Sequence, residues 1–190
     1  MKKMIIALAS VASVAVLVAA TPACAQGFRA EVHGGWDHIR GGGQSDDGIV
    51  YGIGAGYDFD LGKNVLLGVD LSADLSSIKD CEAGLVVAND ETCLKARRDL
   101  AAAVRLGYKV SENGVVYALA GYSNARVRAS YTTPAGVTTS SAANLDGLRL
   151  GIGYQQGFGG GAYGKIEYRY SNYESDVSRH QVLVGVGMAF

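Results

Sequence analysis

In residues 28–38, Phe28, Ala30, Val32, Gly34 and Trp36 occupy one parity, while Arg29, Glu31, His33 and Asp37 occupy the other. Side chains alternate across a β-strand, so this period of two predicts a strand with one apolar and one polar face. The pattern returns down the chain. Ile49, Tyr51, Ile53, Ala55, Tyr57 and Phe59 oppose glycines and Asp58; Val65, Leu67, Val69, Leu71, Ala73 and Leu75 oppose Asp70, Ser72 and Asp74; Leu100, Ala102, Val104, Leu106 and Tyr108 oppose Asp99 and Arg105. Further on, Leu148, Leu150, Ile152 and Tyr154 oppose Arg149 and glycines, and Ile166, Tyr168 and Tyr170 oppose Lys165, Glu167 and Arg169. The chain closes on Val182, Val184, Val186, Met188 and Phe190, set against Gln181, Gly185 and Gly187.

The segment at 115–129 is less regular. Placing Arg126 and Arg128 on the polar face turns Tyr117 and Leu119 to the apolar face, although a bulge would change that phase. Counting it, eight strands are predicted. Runs of about 10 alternating residues match a tilted bilayer crossing.

The connections alternate too. Those at 60–64, 111–114 and 157–161 are short, whereas those at 39–47, 76–95, 131–143 and 173–178 are longer and polar. Tight turns at one end and longer loops at the other predict an all-β, eight-stranded, antiparallel up-and-down transmembrane barrel with periplasmic turns and extracellular loops. Phe28, Tyr57, Phe59, Tyr108, Tyr117, Tyr154 and Phe190 would gird the periplasmic rim, and Trp36, Tyr51, Tyr170 and Tyr173 the outer one. The rival is a secreted soluble barrel with the apolar face inward. Strand length, glycines among balanced charges and a terminal aromatic favour the membrane form.

An eight-stranded barrel has an interior that side chains fill. The polar parity predicts Arg29, Glu31, Asp70, Asp99, Arg105, Arg126, Arg128, Arg149, Lys165, Glu167 and Arg169 as lumen charges, with Asp37, Asp58 and Asp74. Unpaired charge there would be costly, so a paired network is expected to plug the lumen and leave at most a narrow ion path.

Lys2 and Lys3 precede an apolar run that ends at Ala23-Cys24-Ala25, the pattern of a secretory signal peptide over residues 1–25. The mature domain is then 26–190, exported to the outer membrane. Losing the two leader lysines moves the formal net charge from −1 to −3, which excludes a nucleic-acid partner. Cys81 and Cys93 remain in a polar segment of a secreted chain and are expected to form a disulfide.

The segment Glu167-Tyr168-Arg169-Tyr170-Ser171-Asn172-Tyr173, followed by a last strand ending in Phe190, resembles the small porin-family outer-membrane barrels of Gram-negative bacteria, of the OmpA and OmpX type. The resemblance implies an assembly signal read by the barrel-assembly machinery at Val182, Val184, Val186, Met188 and Phe190, with Met188 standing where an aromatic is common. Outer-membrane lipids and lipopolysaccharide are the implied surroundings.

Enzymatic chemistry finds little footing. Ser178 lies two residues before His180 with no acidic partner at a motif spacing, so catalysis is not expected. His33 and His38 fall on opposite parities, which argues against a metal site with Asp37. The glycines at 52–56 and 151–153 lie inside strands with no helix to receive a phosphate, so no cofactor is expected. The expected function is a non-enzymatic structural or porin-like envelope role. The alternative is a surface adhesin that recognises an extracellular ligand through its loops.

Overall fold

The computed structural model describes residues 27–84 and 87–190; the expected signal peptide lies outside them. Alternating segments become strands β1 (Phe28–Gly41), β2 (Gln44–Asp60), β3 (Val65–Ser76), β4 (Lys79–Ala83), β5 (Glu91–Lys109), β6 (Gly114–Thr132), β7 (Thr138–Gly159), β8 (Ala162–Tyr173) and β9 (Val177–Ala189). They form one antiparallel sheet in the order β3-β2-β1-β9-β8-β7-β6-β5-β4, and a β3–β5 pairing closes it into a ring. Short β4 continues past the end of β3 and pairs with β5 alone, so eight staves surround the lumen. First and last strands meet from Arg29↔Ala189 to Arg40↔Ser178, and the Phe190 amide donates to the Phe28 carbonyl at 2.9 Å.

The apolar parity faces out. Ile53, Leu71, Leu148 and Val184 are 62%, 60%, 71% and 61% exposed, while Asp37, Asp99, Arg149 and Glu167 are at most 2% exposed. A soluble barrel would invert that distribution, and only an apolar surround stabilises this one.

The structure departs from the predicted connections on the external side. Residues 39–47 form a continuous hairpin in which Gly41 pairs with Gln44. Gly42 and Gly43 make its two-residue turn with φ of 59° and 81°, a conformation that residues with a Cβ rarely adopt twice in succession. Likewise β6 and β7 stay paired to Thr132↔Thr138. Backbone groups in these polar segments find partners by extending the ladder. As a result β5, β6 and β7 reach 19, 19 and 22 residues, against 12 for β3 and β8. With β4 they rise beyond the rim as a four-stranded wall.

A second departure concerns β6. Its buried positions are Tyr117, Leu119, Ser123 and Ala125, whereas Arg126 and Arg128 are exposed on the outer face. The expectation that these two arginines line the lumen is therefore overturned. The bulge lies in β5, between Ala96 and Asp99, and β6 keeps an unbroken alternation from Gly114 to Thr132. Tyr117 and Tyr173, expected in the aromatic girdles, also point inward. Tyr117 fits because a Cβ on Gly153 would come within 2.5 Å of its ring.

Candidate functional site

The lumen is a ladder of ion pairs supplied by seven of the eight staves. Near the outer mouth, Arg179 of β9 grips Asp37 of β1 through Nε to Oδ1 at 2.7 Å and Nη2 to Oδ2 at 2.6 Å. Its Nη1 reaches Asp99 Oδ2 on β5 at 2.7 Å. Asp99 also accepts from Arg149 Nη2 at 2.5 Å, Ser123 Oγ at 2.5 Å and Tyr173 Oη at 2.8 Å. One carboxylate thus joins its own stave to four others.

Below it, Arg169 Nη1 donates to Asp74 Oδ2 at 3.0 Å, and His33 Nε2 lies 2.6 Å from Asp74 Oδ1. Arg169 also pairs with Glu167. Glu167 in turn receives Tyr117 Oη at 2.6 Å and Lys165 Nζ at 3.1 Å, and Lys165 bridges to Glu31 at 2.5 Å. At the periplasmic end Arg29 contacts Asp70 at 2.6 Å and Asp58 at 2.8 Å. Arg105 bonds Gln155 at 2.9 Å and stacks 3.8 Å over the Tyr117 ring. Buried charges hold this close only when partners satisfy them, and here nearly every fork is occupied. The central void measures about 20 Å³, close to the room a single water needs.

Of the sequence-predicted lumen charges, Arg29, Glu31, Asp70, Asp99, Arg105, Arg149, Lys165, Glu167 and Arg169 meet in this ladder, while Arg126 and Arg128 stand outside it. Arg179 escaped the sequence reading because the last strand was begun at Gln181, whereas β9 begins at Val177. Sharing Gln181's parity was the available signal.

Above the rim, Cys81 and Cys93 face each other across β4 and β5 and are disulfide-bonded, with Cα atoms 4.1 Å apart. Their pairing leaves no thiolate for the metal cluster that Cys81, Glu91 and Cys93 would otherwise suggest. In the following turn the Asp90 carboxylate accepts from the Val87 amide at 3.0 Å. Desolvation and that same carboxylate push the Tyr131 hydroxyl above its ordinary pKa.

His180 turns to Tyr168 Oη at 2.7 Å, and His38 to Asp47 at 2.8 Å and Arg40 at 3.0 Å. The same histidines join the outer girdle through ring contacts, His38 with Trp36 at 5.4 Å and His180 with Tyr170 at 5.0 Å between centroids. Val182, Val184, Val186, Met188 and Phe190 lie exposed along one edge-to-edge line of the outer surface.

A family model described as outer membrane protein beta-barrel domain matches residues 4–190. No curated protein matches the sequence. Among solved structures, Ail, the attachment invasion locus protein of Yersinia pestis, in complex with the heparin analogue sucrose octasulfate, aligns with a TM-score of 0.58 at 15% identity, covering 87% of this chain and 100% of that one. Neisserial surface protein A aligns at 0.61 and 18% identity, covering 88% of this chain and 100% of its own. At such identities the likeness is one of fold.

Proposed function

The chain belongs to the outer membrane protein beta-barrel domain family, proteins of the Gram-negative outer membrane, and from that premise we propose that it is a closed, non-enzymatic envelope barrel, exported by way of a cleaved leader over residues 1–25. The observation that carries this reading is the ion-pair ladder from Asp37 to Arg29, which crosses the lumen and leaves voids of only about 20 Å³ at its centre and about 40 Å³ beside Arg179. A solute would have to break several buried pairs to pass, each worth roughly 3–5 kcal/mol against loss of one partner. The role is structural, with at most a narrow ion path. The last strand, Val182 to Phe190, serves as the segment read during barrel assembly.

Planar-bilayer conductance of the folded barrel tests the reading. A correctly folded, heat-modifiable protein that stays silent or passes only small ions supports it, and reproducible openings wide enough to admit an uncharged solute would refute it.

The raised wall favours recognition as a second role. Beyond Asp146, whose carbonyl accepts from the Glu174 amide at 3.0 Å, residues 138–145 of β7 have no partner from β8, so they present an open strand edge held on a rigid barrel. Removing 78–94 while the barrel stays folded separates the two roles: lost adhesion with unchanged envelope permeability supports the second.

A further inference from the structure

The outer face of the wall carries six cations in two rows just above the apolar belt. Lys79 pairs with Lys95 and Lys95 with Arg128, so three positive side chains stand directly opposite one another across β4, β5 and β6. One step nearer the membrane, the bulge between Ala96 and Asp99 sets Arg97 and Arg98 against Arg126. Like charges opposite one another in a sheet are destabilising. None of the six makes an ion pair or side-chain hydrogen bond among the described residues. Asp146, which pairs with Asn124 two positions from Arg126, is engaged by Tyr122 Oη and Asn124 Nδ2, both at 2.5 Å.

The arrangement is also concave. Arg97, Arg98, Arg126 and Arg128 line an open groove of about 410 Å³ whose lower wall is Tyr51 and Leu75. Tyr51 pairs with Leu75 and Leu75 with Arg98, so one row runs from apolar belt to guanidinium without a break. The groove exists because β3 stops at Ser76 and the chain continues as β4 on the wall, while β2 continues into its own hairpin with β1.

We infer that this groove binds the phosphate groups of an outer-leaflet glycolipid, with its acyl chains lying on the belt below Tyr51 and Leu75. Charge selects the ligand's head, since guanidinium forks match phosphate oxygens. Continuity with the lipid-facing surface selects an amphiphile over a soluble anion. The site lies on the outside of the barrel and is independent of whether the lumen conducts.

The test is native mass spectrometry of the folded protein in mixed micelles, offering bis-phosphorylated lipid A and the dephosphorylated lipid with identical acyl chains. Wild-type protein is expected to retain the phosphorylated lipid by about tenfold or more over the other, the effect of one or two charge-assisted hydrogen bonds. Equal retention overturns the inference without any variant being made. Arg97→Gln, Arg98→Gln, Arg126→Gln and Arg128→Gln together should erase the preference while heat-modifiable mobility persists; an unchanged preference in that folded variant also overturns it. Sucrose octasulfate, lacking acyl chains, is the competitor. Weak displacement supports the amphiphile, whereas displacement at stoichiometric concentration reassigns the groove to a soluble polyanion and overturns the inference as stated.

Discussion

Asp99 shows how much one lumen residue can hold. Its two oxygens take Arg149, Arg179, Ser123 and Tyr173 in a site about 1% exposed. Asp99→Ala leaves two guanidiniums short of a counter-charge in a dry interior, and the expected loss is roughly 3–5 kcal/mol. A fall in the urea midpoint of unfolding by tryptophan fluorescence checks it. Gly153 is the steric counterpart: a larger side chain there meets the Tyr117 ring, so Gly153→Val should cost roughly 1–3 kcal/mol by overpacking, read from the same midpoint. Most of these residues were legible as inward from parity alone. Their partners were not, because Arg169 and Asp74 lie 95 residues apart and only strand order brings them together.

The elements divide into barrel staves and the wall that three of them build with β4. Along β7 the stretch 138–145, paired to β6 on one side and open on the other, extends roughly 26 Å at about 3.3 Å per residue. Wall strands bury little apolar surface, so local opening there should be easier than in the belt. The Cys81–Cys93 bond, closing a sequence separation of 12, restrains the β4–β5 hairpin in particular. Replacing both cysteines by serine is expected to admit protease between 84 and 91 while the unfolding midpoint of the barrel stays within error. An uncut hairpin in that variant would show that the ladder alone suffices. The sequence underestimated these strands because polar residues in 131–143 read as loop chemistry. Thr and Ser are also good strand residues once a neighbouring strand offers its backbone. The phase of β6 failed because it was anchored on Arg126 and Arg128 as inward charges: β6 carries no bulge, so the single parity that buries Tyr117, Leu119, Ser123 and Ala125 turns both arginines outward.

At the scale of the molecule, the ladder and the closed ring act together. Asp99→Ala combined with Arg149→Ala removes an ion pair as a unit, which costs far less than breaking it, since no charge is stranded between the two. Arg179 keeps Asp37, and Asp74 keeps Arg169 and His33. This double variant is expected to fold, to retain heat-modifiable mobility and to show intermittent conductance where the unmodified barrel is silent. Continued silence would mean that the periplasmic cluster of Arg29, Asp58 and Asp70 seals the lumen by itself.

By itself the sequence determined that the chain makes two-faced strands, that eight such segments recur with short and long connections in turn, and that one parity is charged while the other is greasy. These follow from local periodicity, which each segment carries within its own ten or so residues. Only the tertiary structure decided which charges meet, which arginines leave the lumen for the outer wall, and where loops become strand. Those outcomes depend on register between distant strands, and register is a property of pairs: one extra residue in β5 is enough to turn two arginines toward the same point on its neighbour.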